Sequence, residues 1–186
     1  MSEYEKHWTD IAARMEQDHQ LQSVRDETAD RICGSERPID VVNAVLDDVQ
    51  RRFAHCILFR VQKGVATVWA HRGWDFPRER RASIAVSSVS GNPLELLVIH
   101  PSFRGATPME QAYVPFFEQL GLTFPNEMIL HPVEAAGRPV GFLYADTGEA
   151  GLLTTTAQEE ASYAKRLSLG LTIVLFKQKV RALGDA

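Results

Sequence analysis

The chain of 186 residues holds only two cysteines, Cys33 and Cys56. Two thiols supply neither a disulfide framework nor the ligand set of a zinc site. Long apolar runs are missing as well. The longest stretch of interest, Leu167 to Phe176, is bracketed by Lys165, Arg166 and Lys177. It is about half of the ~20 residues that span a bilayer and reads as a buried helix. Residues Met1 to Asp10 are charged and carry no apolar core of a secretory signal. Excess positive charge is absent too, the formal net charge being -4. A nucleic-acid surface normally shows a basic, counterion-releasing face, so no nucleic-acid partner is expected. The run Arg78, Arg80 and Arg81, with Arg72 upstream, reads as a solvated loop rather than an anion patch. The expectation is a cytoplasmic protein without membrane insertion.

Catalytic signatures are equally sparse. Six histidines are present, but no two stand at His-x-x-x-His spacing, so no zinc signature exists. His71, His100 and His131 with Asp146 form the one conceivable spatial metal set; ordinary strand-end and loop histidines are the simpler reading. His55 and Cys56 are adjacent in a β pattern, which sends their side chains to opposite faces and denies them a dyad. Ser102 lacks a Gly-x-Ser-x-Gly elbow. Gly64, Gly73 and Gly91 are too dispersed for a phosphate loop. No cofactor and no metal is expected, and no catalytic residue.

What is present is ordered secondary structure. Tyr4, Trp8, Ile11 and Met15 lie on one helical face. After a break at Gly34 to Pro38, the residues Val41, Val42, Val45, Leu46, Val49 and Phe53 form a wide apolar stripe. Pro38 suits the first turn of that helix and Asp40 its positive end. From Cys56 the period changes to 2, and Lys63-Gly64 turns a first strand into a second, Val65 to His71. A third strand is expected over Ala82 to Ser88. Asn92-Pro93 opens a short helix over Leu94 to His100, Pro101 to Gly105 reads as a loop, and a second short helix covers Glu110 to Leu120. A second hairpin, Met128 to Glu134 and Pro139 to Asp146, follows. Thr156 and Glu159 form a capping box that opens a long terminal helix. Antiparallel hairpins with helices at the ends indicate an α+β domain whose sheet is covered on both faces.

These landmarks resemble the GAF domain superfamily over nearly the whole chain. The match runs from Ile57-Leu58-Phe59-Arg60-Val61 to Trp69-Ala70-His71-Arg72-Gly73, continues through Asn92 to Pro108, and ends in His131-Pro132-Val133 with Gly141-Phe142-Leu143-Tyr144-Ala145-Asp146. The resemblance implies a single domain over 1–186: a helical extension at 1–34, an α/β core at 35–154 and a C-terminal helix at 155–186. It implies an antiparallel sheet of five to six strands, long terminal helices on one face, short helices over the other, and dimerisation through the terminal helices. A small-ligand pocket under the short helices would involve Trp69, His71, Trp74, His100, Phe103, Arg104, Tyr113 and Tyr144. The Asn-Lys, Phe and Asp-Glu set of cyclic-nucleotide binders cannot be placed here. No cysteine follows Cys56 to attach a bilin, and the pocket cysteines of sulfoxide-reducing relatives are not reproduced.

The terminal helix carries two apolar seams. Leu169, Ile173, Phe176, Val180 and Leu183 form one. Ala157, Ala161, Ala164, Ser168, Leu171 and Leu175 form the other. One seam can dock on the sheet and the other needs a partner, supplied by the first helix or by a second subunit. The expectation is therefore a non-catalytic regulatory module, a homodimer that senses a small ligand or passes its output to a protein partner. The alternatives are a structural adaptor with a closed pocket and, more distantly, an enzyme of the methionine-sulfoxide-reductase kind.

Overall fold

The structure, a computed structural model, describes residues 27–76, 83–85 and 91–184. The Tyr4, Trp8, Ile11 and Met15 stripe and the Arg78, Arg80 and Arg81 run lie outside these residues. A helical segment over 27–34 (α1) leads to α2 (Pro38–Val49), then strands β1 (His55–Gln62), β2 (Val65–Arg72) and β3 (Ser83–Ala85). A 3-10 turn, Pro93–Glu95, runs into α3 (Leu96–Ile99), followed by β4 (Phe103–Ala106). A second 3-10 turn, Gln111–Tyr113, leads to α4 (Val114–Leu120), and β5 (Glu127–Ala135), β6 (Arg138–Asp146) and α5 (Ala157–Gly184) complete the chain. Of the loop expected over Pro101 to Gly105, residues Phe103 to Gly105 thus belong to strand β4. Its four residues, interrupted by Gly105, are too short and irregular to show a period of 2 in the sequence.

The six strands lie in the order β3-β2-β1-β6-β5-β4, antiparallel throughout. Both hairpin turns have left-handed backbone at their two central residues, Lys63-Gly64 and Ala136-Gly137. That is the geometry whose twist matches the flanking strands. Local signals elsewhere do what their chemistry dictates. Asn92 Oδ1 accepts from the Leu94 amide at 2.9 Å, and Thr156 and Glu159 exchange the reciprocal bonds of a capping box.

Alternation along the strands feeds two separate cores. On one face, Cys56, Leu58, Ala70, Ile129, Val133, Leu143 and Ala145 meet Ile32 of α1, the apolar stripe of α2, and Tyr163, Leu167, Leu171 and Val174 of α5. On the other, Ile57, Phe59, Ala66, Met128, Leu130 and Tyr144 meet Leu94, Tyr113, Phe116, Phe117 and Leu120 of the short helices. We call these the long-helix face and the short-helix face. The stripe that α5 docks therefore runs between the two seams expected from the sequence. Ala164 and Leu171 of the second seam are buried, whereas Ala157, Ala161 and Leu175 are exposed. The cause is the approach of α2 and α1 at Gly170, which sets the rotation of α5 about its axis.

Two close approaches fix this packing. A Cβ at Gly141 would lie 1.8 Å from the Phe59 carbonyl oxygen, in the backbone of the neighbouring strand. A Cβ at Gly170 would lie 2.6 Å from Val41 Cγ1 and 2.8 Å from Ile32 Cγ2, both side-chain atoms. Side chains can yield where a paired backbone cannot. Alanine in a helix also recovers up to ~1 kcal/mol of propensity over glycine. In urea unfolding, Gly170→Ala should therefore cost less than ~1.5 kcal/mol and Gly141→Ala roughly 3 kcal/mol or more. Equal losses would contradict this account of the two contacts.

Candidate functional site

Position on the sheet decides which expected site residues meet. His71 pairs with Ile57 in the β1–β2 ladder and so faces the short helices. Its ring lies 4.9 Å from that of Trp74 and 5.4 Å from that of Phe76. Trp74 is anchored by its indole N–H, which donates to the Leu120 carbonyl at 3.0 Å and ties the end of β2 to the end of α4. Tyr113 and Tyr144 are buried on the same face and Phe103 packs against it. The Tyr113 hydroxyl donates to Glu95 Oε1 at 2.8 Å. Burial first, and then that bond to a carboxylate, hold its pKa above the ordinary tyrosine value.

Three of the expected residues do not join this group. Trp69 sits at a bulge: Leu58 pairs with Ala70 but Phe59 with Val68, so Trp69 is the extra residue on β2. It packs on the long-helix face, with the Arg60 guanidinium 5.8 Å from its ring centre. The parity that groups it with His71 in the sequence is broken by this insertion. Arg104 follows Phe103 on β4 and turns to the long-helix face, where it meets Glu160 of α5. His100 is exposed at the end of α3. The metal set is split as well. His131 pairs with Leu143 and shares the long-helix face of Ile129 and Val133, opposite to His71. No group of three or more His, Cys, Asp or Glu among the described residues is arranged to hold a metal ion.

On the short-helix face, where β1 begins and β6 ends, lies a polar cluster that sequence reasoning missed in part. Asp146, fully buried, accepts from His55 Nδ1 at 2.8 Å and from the Gly148 amide at 2.8 Å through Oδ1. Its Oδ2 accepts from the Tyr144 hydroxyl at 2.6 Å. His55 in turn stands edge-on to Trp74, ring centres 5.5 Å apart. The result is a continuous row, Tyr144, Asp146, His55, Trp74, His71 and Phe76, from buried residues of β6 across the start of β1 to half-buried residues at the end of β2. His55 and Asp146 come together only through the β1–β6 register, which pairs them directly. The sequence offers one trace of this: His55 shares the parity of Ile57, and Asp146 that of Tyr144.

The electrostatics follow from these contacts. The hydrogen bond to Asp146 raises the His55 pKa against the opposing effect of burial. His71 has no such partner, its buried Nδ1 lacks a hydrogen bond, and burial lowers its pKa. The two imidazoles flanking Trp74 are therefore driven towards opposite protonation states. Cys56 stands apart on the long-helix face, fully buried, with its thiol pushed up to about 12 by desolvation. Such a thiol is a hydrophobe, not a nucleophile.

A group whose folded pKa is raised binds more protons folded than unfolded. Its stabilisation is complete below the unfolded pKa and is lost as pH rises through the folded value. His71 and His131, lowered by burial, act in the opposite sense. The difference between wild type and His55→Gln cancels them. That difference should be largest at acidic pH and shrink steadily as pH rises past neutrality. In an Asp146→Asn background it should lose most of this slope. A pH-independent difference in thermal melts would contradict the His55–Asp146 assignment.

No family model matches the chain, and no curated protein matches it in sequence. Solved structures do match it in shape. A segment of a methyl-accepting chemotaxis protein, residues 122 to 287, superposes with a TM-score of 0.63 at 11% identity, covering 79% of this chain and 96% of that one. The GAF domain of an Acinetobacter phosphoenolpyruvate-protein phosphotransferase gives 0.62 at 14% identity, covering 90% and 98%. The free methionine-R-sulfoxide reductase of Neisseria meningitidis, solved with its substrate, gives 0.59 at 12% identity, covering 81% and 87%. A chemotaxis-protein segment, a phosphotransferase GAF domain and a reductase thus share this architecture. With its six-stranded sheet between long and short helices, the chain has the GAF-like fold.

Proposed function

We propose that the protein is a non-catalytic signalling module of the GAF type, working as a homodimer whose output passes through protein contacts. The observation that carries this reading is the free seam of α5. Leu169, Phe176, Val180 and Leu183 are 58%, 56%, 68% and 80% exposed, and Ile173 beside them is half-buried. A run of large apolar side chains along one helix is costly to leave in water and marks an interaction surface. Past Val174 no residue of α5 is buried, so its last ten residues project beyond the core.

The order of contacts along α5 favours a second copy as the partner over the chain's own beginning. Ile32 approaches Gly170, the Lys177 ammonium donates to the Cys33 and Ser35 carbonyls, and Arg181 pairs with Glu36. Residue number thus rises in the same direction on both segments, so that Ile32 lies beside the middle of α5 and Glu36 nearer its free tip. On the short-helix face the proposed ligand contacts are His71 and Trp74, with Phe103, Tyr113 and Tyr144 behind them. The non-catalytic assignment draws on Cys56, which is buried on the wrong face and held in its thiol form. A cytoplasmic location is part of the same proposal. No helix among the described residues is long and apolar enough to cross a membrane.

A structural adaptor without a ligand is the second reading. It draws on the dense ring packing of Phe59, Phe116, Phe117, Phe124 and Tyr144, with neighbouring ring centres 5.1–6.5 Å apart. Both readings require the α5 contact. Phe176→Glu should convert the dimer to a monomer in light scattering while shifting the melting temperature only slightly, because the carboxylate reaches water once the chains separate. Unchanged mass with a large fall in melting temperature would place the seam inside the subunit and defeat the proposal.

A further inference from the structure

Edge strand β4 presents the two faces of the sheet in consecutive residues. Phe103, opposite Leu130, packs among the short helices; Arg104, opposite Ile129, points into the long-helix layer. There its guanidinium Nε donates to Glu160 Oε1 at 3.1 Å and lies 3.0 Å from Oε2. Its Nη2 donates to the Thr155 carbonyl at 2.8 Å. Glu160 is fully buried in the first turn of α5, and Oε1 also accepts from the Thr155 hydroxyl at 2.6 Å. Arg104 is the cation paired with this carboxylate among the described residues.

The mechanical setting of this pair is unequal. β4 is four residues long and bonded on one side only, to β5, whereas α5 spans 28 residues. A short edge strand is one of the elements a fold can displace at low cost. A buried carboxylate cannot part from its cation without a heavy desolvation penalty. Displacement of β4 must therefore either carry the first turn of α5 with it or expose Glu160.

We propose that the Arg104–Glu160 ion pair is a coupling element that transmits packing changes at Phe103, on the short-helix face, to the beginning of α5. The proposal deepens the regulatory reading, on which it rests for the role of α5 as the output helix. It gives the ligand face and the output helix one physical connection at the sheet edge. Phe103 and Arg104 are the two ends of a lever one residue long. The pair acts by position, and neither residue is assigned to chemistry.

Hydrogen–deuterium exchange on the full chain tests this without a ligand and without reference to subunit count. Phe103→Leu perturbs the short-helix face. In the wild-type background it should speed amide exchange in the first two turns of α5 by roughly tenfold, the scale of coupling between residues in one network. In an Arg104→Met/Glu160→Leu background, which removes both charges together, Phe103→Leu should still loosen β4 but leave α5 unchanged. Should that double variant fold poorly, Glu160→Gln keeps one acceptor oxygen for Thr155 and Arg104 while deleting the charge and the second acceptor, and the α5 response should fall at least by half. An equal α5 response in every background, or none in wild type, would overturn the proposal. Because exchange is read within one subunit, a monomeric protein would defeat the dimer and leave this test intact.

Discussion

The pairing of β1 with β6 is the join on which the rest of the molecule depends. These strands come from the two hairpins, separated in sequence by nearly half the chain, and their alignment brings His55 opposite Asp146 and Ile57 opposite Tyr144. The absence of a side chain at Gly141 lets the two backbones meet beside Phe59. The β1–β6 register is unbroken and side chains alternate along both strands, so this alignment assigns the residues of these two strands to a core. A slip of β1 by a single residue against β6 would turn Cys56 and Leu58 towards the short helices and take His55 away from Asp146.

From that join follow two layers with different characters. The long-helix layer is aliphatic and closely fitted, down to the contact at Gly170. The short-helix layer is aromatic and carries a graded polar row, from buried Tyr144 and Asp146 to half-exposed His71 and Phe76 at the sheet end. Aromatic walls with a few directed polar groups suit recognition of small molecules, and they also make a well-filled core. The helix that closes the long-helix layer is the same one that projects apolar side chains into solvent. One element therefore both packs on the sheet and exposes an apolar seam.

Much of this was legible in the sequence, because the signals concerned are local. The stripe of α2, the hairpin turns, the Asn92 cap and the Thr156–Glu159 box each depend on residues a few positions apart. Non-local facts were not legible. The β1–β2 bulge moves Trp69 to the opposite face, and nothing in Val68-Trp69-Ala70 announces it. The strand character of Phe103–Ala106 comes from pairing with β5. For the same reason Arg104 could not be separated from Phe103 in advance. His55 and Asp146 meet through a register between distant strands, and His131 is parted from His71 by the same kind of fact. In the terminal helix the apolar spacing of Leu169, Phe176, Val180 and Leu183 was readable. The rotation that selects the docked stripe was not, since it is set by how closely α2 and α1 approach Gly170.

The central claim is that this fold serves as a paired, ligand-responsive regulatory module rather than an isolated globule. A native mass spectrum of the protein purified under mild conditions tests it most directly, because one spectrum reports subunit count and retained small molecules together. The account predicts a species of twice the chain mass, with a discrete added mass when the short-helix face keeps its ligand. A single-chain mass throughout the micromolar range would contradict it.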